Sequence, residues 1–297
     1  MRQIWIIWLL LVPALNASAG TLVQFRTTFG VIEVELFDQD KPVTVQNFIR
    51  YVQSGLYQNM FLHRCIPGFV IQGGGFWIDN PLSTAPFAPT NQNLLVVPTF
   101  SPITNEFNVG RRLTNSFGTI AMAKVGGDPN SATSQWFFNL GNNTNLDVQN
   151  GGFTVFGRVV RGTNVLNLVN TLNKGLAYGL VDLTWWWETN SSFGQTFSDL
   201  PVIYSGPLPT PKYPTYADLV YVFDISLLSV QVQTLSNHTH QVSWNSVTGL
   251  TNYVEFTTNL PPVWRTLVAT NGTGSQLQVV DATANPLRRF YRVRVNY

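Results

Sequence analysis

The sequence predicts a mainly β chain in two parts, a larger β-rich domain followed by a small β-sandwich. Three observations carry that prediction. Residues 22–37, LVQFRTTFGVIEVELF, alternate apolar and polar side chains on either side of Gly30, the pattern of two half-buried strands joined by a turn. Charged residues make up 11% of the chain and hydrophobic ones 44%, with nine Trp and many Asn, Thr and Gly, which suits a β-rich secreted protein better than a helical cytosolic one. From residue 229 onward six short alternating segments, VQVQTL, HQVSWNSV, NYVEFTT, WRTLVAT, QLQVVDA and RRFYRVRVNY, follow one another with Asn, Gly and Pro between them. A length of 297 residues fits one large domain or two ordinary ones. The low charge argues against a disordered or nucleic-acid-binding chain, and a net charge of +2 implies no polyanionic partner.

Taken in order, the chain starts with a targeting signal. Arg2 precedes an apolar run over residues 4–15, too short to span a bilayer comfortably, and Ala17-Ser18-Ala19 supplies a small-residue cleavage site. Residues 1–19 read as a signal peptide, with a short membrane anchor as the other reading. No later run of eighteen apolar residues exists, so no stable membrane span is expected after cleavage, and the protein is expected in the periplasm or secreted. Cys65 is the one cysteine, which rules out an intramolecular disulfide and reads as an inert core thiol.

Glu33 and Glu35 alternate with Ile32, Val34 and Leu36 and read as the wet face of a strand. Residues 42–54 read as a helix, with Pro42 in the first turn, Val45, Phe48, Ile49 and Val52 on one face, and Gly55 as its stop. Residues 77–102 form a long loop with five prolines. Glu106 is placed either to cap or to pair with Arg111 or Arg112. Residues 134–138, SQWFF, form a strand whose pleat sends Gln135 and Phe137 to one face and Trp136 and Phe138 to the other. Residues 218–228 alternate as a further strand.

The most informative stretch is residues 61–76, FLHRCIPGFVIQGGGF. Its strong charge, Arg64, stands among Phe61, Ile66, Phe69, Val70 and Ile71. Burying that charge alone is costly, so it must be paired or must face an opening. Gln72 adds an amide donor and acceptor. Gly73, Gly74 and Gly75 permit a turn or a close backbone approach. Pattern alone leaves two readings open: a buried strand with one snorkelling Arg, or the wall of a cleft.

This stretch resembles the core signature of the cyclophilin-type peptidyl-prolyl isomerases, FHRVIPGFMIQGGDF. Residues 118–140, GTIAMAKVGGDPNSATSQWFFNL, resemble a second block of that family, and residues 153–162, FTVFGRVVRG, a third. The resemblance runs over residues 20–228. It implies a closed eight-stranded antiparallel barrel with two helices, the second at residues 165–172. It also implies peptidyl-prolyl cis–trans isomerase activity without a cofactor or metal, acting on proline-containing polypeptides. By the same matching Arg64 is catalytic, and Phe69, Val70, Gln72, Met122, Ala123, Gln135, Phe137, Leu146 and Phe153 bind substrate. Three departures stand out. Asn145 replaces a Trp common in eukaryotic relatives, which implies weak cyclosporin binding. Phe153 stands where other forms carry His or Tyr. Lys124 replaces an Asn whose backbone is the contacting part, so its side chain is expected to matter little.

Residues 174–214 depart from the family as an insertion that carries Trp185-Trp186-Trp187. It reads either as a packed cover of the barrel end or as an exposed aromatic surface for a polymer or partner. Residues 229–297 resemble fibronectin type III-like modules of secreted bacterial proteins, with Trp244 and Trp264 for a core. Cell-surface or polymer contact is expected through this module or the insertion. His238 and His240 lack a third metal ligand. Arg288, Arg289, Arg292 and Arg294 read as a solvated basic edge.

Overall fold

The computed structural model describes residues 21–81, 83–85, 87, 95–174, 178–183, 194–203, 214–228, 230–236, 238–246, 251–259, 262–273, 275–284 and 288–296. The leader 1–19 and the Trp185–Trp187 run lie outside them. The described chain folds in the order β1 (Leu22–Thr27), β2 (Gly30–Leu36), α1 (Pro42–Gln53), β3 (Met60–Phe61), β4 (Arg64–Ile66), β5 (Val70–Gly73), β6 (Phe76–Trp77), β7 (Leu95–Val96), β8 (Thr119–Met122), β9 (Trp136–Asn139), β10 (Val155–Arg161) and α2 (Thr163–Val169). Then come β11 (Asn173–Lys174), β12 (Tyr178–Val181), β13 (Leu200–Ile203), β14 (Tyr221–Leu227), β15 (Val230–Thr234), β16 (His240–Asn245), β17 (Thr251–Thr257), β18 (Arg265–Asn271), β19 (Gln276–Asp281) and β20 (Phe290–Asn296).

The period of two in the sequence becomes one curled sheet. β1 and β2 pair in register from Leu22↔Glu35 to Thr27↔Gly30. Thr27 Oγ1 donates to the Gly30 carbonyl, and Gly30 takes a φ of +123° that a side chain would resist. The inward residues of this pair, Val23, Phe25, Ile32, Val34 and Leu36, join Met60, Ile71, Ile120, Trp136, Phe138, Phe156, Val222 and Ile225 in one buried core. At its centre the Phe25 ring meets Trp136 at 5.1 Å and Phe138 at 5.2 Å, both edge-on. The outward glutamates sit in half-wet ion pairs, Glu35 with Arg158 and Glu33 with Arg161.

Eleven strands run in the order β4-β5-β9-β8-β10-β2-β1-β14-β3-β6-β7. The order is linear, with β4 and β7 at its ends, and the sheet is curled. Two residues, Leu62 and His63, separate β3 from β4. Leu62 N donates to Val220 O, whereas His63 N turns back to Gln72 O and Cys65 N bonds Asp199 O. The insertion thus takes one backbone donor of β4.

Helix α1 packs Val45, Phe48 and Tyr51 on the core. Pro42 lies in its first turn, Ser54 caps its end, and Gly55 follows at φ +69°. Glu106 caps its start. The carboxylate accepts from Val43 N at 3.1 Å and Thr44 N at 2.7 Å, two of the amides a helix start leaves without partners. Arg111 pairs instead with Asp40. Buried Lys41 holds the same loop from the other side, donating to the carbonyls of Glu106, Val109 and Arg111.

The described part of the insertion forms a second sheet, β11-β12-β13. Phe197, Leu200 and Val202 pack with Phe61, Phe76, Phe87 and Tyr216 in a separate aromatic cluster. That much of the insertion is a packed cover.

All six strands expected after residue 229 are present, in two three-stranded sheets, β15-β16-β19 and β18-β17-β20. Val242 and Trp244 of one sheet and Val254 of the other share a core with Tyr291 and Val293. Trp264, expected in that core, lies half-buried at its margin under the Arg292 guanidinium. The basic edge also needs correction. Arg289 is 10% exposed and binds the fully buried Asp281, so it is an ion-pair partner rather than part of a solvated face, whereas Arg292 stays exposed while pairing with Glu255.

Candidate active site

The pleat brings the site together as one row. Across adjacent strands the register reads Arg64↔Gln72, Gln72↔Phe137, Phe137↔Ala121 and Ala121↔Val155. Alternation sends the next row, Cys65, Ile71, Phe138 and Ile120, into the core. A charged end, an amide and an apolar stretch therefore lie side by side on the outer face of the sheet.

The apolar stretch is a compact cluster. Val70, Ala121, Phe137, Leu146 and Val155 are buried in it, and Phe69, Ala123 and Phe153 are half-buried against it. The Phe153 ring stands edge-on to Phe137 at 5.9 Å. Leu146 comes from a short 3-10 turn, Thr144–Asp147, and Phe153 N donates to its carbonyl. Met122 is not part of this surface. It is 1% exposed and belongs to the barrel core opposite Trp136, because alternation along β8 gives the outer position to Ala121. Ala121 went unnoticed in the sequence, although it stands two residues before Ala123.

Three buried asparagines beneath the cluster tie its walls together. Asn143 Nδ2 donates to Phe69 O and to Asn139 Oδ1. Asn139 Nδ2 donates to Asn115 Oδ1, and Asn115 Nδ2 donates to Asp147 Oδ1 and to Phe153 O. Short-range motif reading does not reveal this chain, since its members lie on three separate segments.

The polar half is built from Arg64, Gln72, Gln135 and His63. Gln72 Nε2 donates to Gln135 Oε1 at 2.7 Å. His63, which sequence reasoning passed over, is 2% exposed, hydrogen-bonded to Gln135, and stacked edge-on against Phe76. Burial pushes its pKa down to about 3, helped by the neighbouring Arg64 charge, so the ring is neutral at physiological pH. The three glycines allow these groups to pack. A Cβ at Gly73 would stand 2.8 Å from the Trp136 ring, and one at Gly75 3.1 Å from the Gln135 amide. Gly74, at φ +80°, passes against the Ser134 carbonyl. Their close approach is to Trp136, at the start of β9, and to Ser134 and Gln135 just before it.

Arg64 itself is half-buried. Arg26, Arg111, Arg158, Arg161, Arg289 and Arg292 each hold a carboxylate. Among the described residues Arg64 has no hydrogen-bond or ion-pair partner, which leaves its donors available to a ligand. Cys65 points inward, and burial raises its thiol to about 12, so it is no nucleophile at neutral pH. No group of three or more His, Cys, Asp or Glu side chains is placed to hold a metal among the described residues.

An apolar, aromatic cluster beside a guanidinium that has no partner among the described residues suits recognition of a proline ring with its flanking peptide. Comparison with known proteins agrees. The family model for cyclophilin type peptidyl-prolyl cis-trans isomerase/CLD matches residues 22–179. A peptidyl-prolyl cis-trans isomerase of Acinetobacter baylyi is 37% identical over 156 residues, 52% of this chain and 74% of the relative. Peptidyl-prolyl cis-trans isomerase A of Dickeya dadantii is 40% identical over 168 residues, 55% of this chain and 80% of the relative. Isomerase B of Escherichia coli is 38% identical over 163 residues, 53% of this chain and 87% of the relative. A solved cyclophilin-type isomerase from Cryptosporidium parvum aligns with a TM-score of 0.42 at 22% identity, over 70% of this chain and 98% of that one. The chain belongs to the cyclophilin-type family and is a peptidyl-prolyl cis–trans isomerase.

Proposed function

We propose that Arg64 is the catalytic group and that the apolar cluster beside it is the proline pocket. Rotation about an X–Pro bond is opposed by amide resonance, a barrier of about 18–20 kcal/mol. Twisting the bond localises the lone pair on the prolyl nitrogen, which becomes a hydrogen-bond acceptor only in the twisted state. A guanidinium N–H directed at that nitrogen therefore lowers the barrier without stabilising the planar ground state to the same extent. Phe69, Val70, Phe137 and Leu146 hold the ring, Ala123 and Phe153 form its rim, and Gln72 and Gln135 bond the flanking backbone. The reaction moves no proton and uses no cofactor. The absence of a carboxylate on Arg64 among the described residues carries this reading, because a structural arginine at a sheet edge would be paired. The same observation favours catalysis over a barrel that merely binds proline-containing loops. A protease-coupled assay on a short X–Pro peptide, with parent and Arg64→Ala in parallel, tests it.

The setting of the activity belongs to the same proposal. The apolar run and Ala17-Ser18-Ala19 support export and cleavage after residue 19, with the isomerase assisting folding of periplasmic or secreted clients. Detection of the mature protein in cytosolic extract alone would refute this. Residues 229–297 form a fibronectin type III-like unit that serves location or large clients. Support comes from its two three-stranded sheets and its separate core.

A further inference from the structure

The Lys124 side chain does more than fill space. Its ammonium donates to Asn150 O at 2.8 Å and to Gly152 O at 2.7 Å. The same nitrogen lies 4.7 Å from the centroid of the Phe153 ring. The turn it grips is conformationally demanding, with Asn150, Gly151 and Gly152 all at positive φ, 47°, 74° and 78°. Asn150 Nδ2 returns a bond to Val125 O, so the two lips of the groove are stitched in both directions. Phe153, beyond the turn, is the ring that stands against Phe137.

We propose that Lys124 is a positioning residue for isomerisation: its ammonium clamps the 150–152 turn and fixes the Phe153 ring as the outer wall of the proline pocket.

The charge is held there at a cost. Burial brings Lys124 down to about 8 from its ordinary 10.5, against the opposing field of Asp128. Asp128 lies on the lysine's own loop, and the facing turn offers Asn150, Gly151, Gly152 and Phe153, none of which titrates. A folded-state pKa below the unfolded one means that the unfolded chain binds more protons between these values, so global stability rises with pH from about 8 to about 10.5. Pocket closure goes the other way. The neutral amine loses the charge-assisted bonds and the attraction to the ring, which weaken as pH rises through about 8. A residue that merely stabilised the fold would move both quantities in one direction.

The experiment measures KM and kcat on a fluoroproline-containing X–Pro tetrapeptide by fluorine exchange spectroscopy from pH 6.5 to 9.5. Parent, Lys124→Met and Lys124→Arg are compared, with Tm recorded at each pH. For the parent, KM rises severalfold across the lysine titration while kcat stays within about twofold and Tm does not fall. Lys124→Met has a high KM at every pH, about tenfold above the parent at pH 6.5, and a Tm no lower than the parent. Lys124→Arg keeps a low KM without the alkaline rise, since its charge persists. A pH-independent parent KM overturns the proposal, as does a Lys124→Met variant with KM within twofold of the parent. A loss confined to kcat also overturns it. Should Lys124→Met fail to fold, the parent and Lys124→Arg profiles decide alone.

Discussion

Gln72 Nε2 donates to Gln135 Oε1 at 2.7 Å, joining two adjacent strands through their side chains on the outer face of the sheet. Gln72 is also the cross-strand partner of Arg64. Gln135 in turn bonds the buried, neutral His63. The result is a fixed amide pair between a guanidinium without a partner among the described residues and the apolar cluster. Such a pair can hold an extended peptide on either side of a proline while the ring sits in the pocket and the bond rotates.

Arg64→Ala is expected to lower kcat/KM at least about tenfold, or roughly 1.4 kcal/mol of transition-state stabilisation, with the fold intact. Loss of the side chain removes no ion pair among the described residues, so circular dichroism and Tm should match the parent. Equal activity in a well-folded variant would remove Arg64 from the mechanism.

His63 gives a pH prediction. Its folded pKa, about 3, lies below its ordinary 6.5, so the stability linked to it is complete above about 6.5 and is lost as pH falls toward about 3. Full linkage gives a slope of about 1.4 kcal/mol per pH unit over that window. Urea midpoints at pH 7, 5.5 and 4 should fall steeply for the parent and less steeply for His63→Gln. Parallel curves would mean that His63 is not the buried neutral group described.

Glu106 caps α1 through two backbone amides, and it does so from a loop more than sixty residues away in sequence. Glu106→Ala should cost about 1–2 kcal/mol of unfolding free energy by urea titration. The groove residues lie elsewhere, so kcat/KM should stay within about twofold. An unchanged urea midpoint would show the cap to be energetically idle.

Much of this architecture was legible in the sequence, because it depends on local period. β1, β2, α1, β9 and the six C-terminal strands follow from alternation and helical spacing. Alternation also separated Phe137 from Trp136 and Phe138 correctly. Met122 shows where matching by motif falls short: it lies beside the pocket in sequence, but the pleat turns it into the core. The order of strands in the sheet, the Asn115–Asn139–Asn143 chain and the Arg289–Asp281 pair depend on contacts between distant segments, which no local pattern encodes. The Lys124 clamp was missed for a similar reason, since its partners are backbone carbonyls that carry no side-chain signature.

Asn145 is exposed at the lip of the turn that carries Leu146. A Trp at that position would add an apolar wall with a donor N–H. The protein is therefore expected to bind cyclosporin weakly, and Asn145→Trp to tighten inhibition by about tenfold or more, one such contact contributing over a kcal/mol. Tight inhibition of the parent, or no gain in the variant, would show that this position does not govern the inhibitor.

The last prediction concerns the chain after β14. β14 pairs with β1 and with β3, so the curled sheet needs residues up to Leu227. β15 begins at Val230 and pairs with β16, in a sheet whose members all lie further along the chain. The core around Trp244 is distinct from the core around Trp136, and none of its residues joins the Val70–Phe137 cluster. A chain ending at residue 228 should therefore keep both the interior core and the row from Arg64 to Val155. It is expected to fold cooperatively and to isomerise a short X–Pro tetrapeptide with kcat/KM within about threefold of the full chain. Refolding of a large proline-limited client is expected to suffer more, since a separate β-unit acts on location or client capture rather than on the reacting bond. The comparison needs both substrates and both chains. A truncated form that is folded by circular dichroism yet inactive on the tetrapeptide would show that the C-terminal unit supports the groove, and the division of the chain at residue 228 would then be wrong.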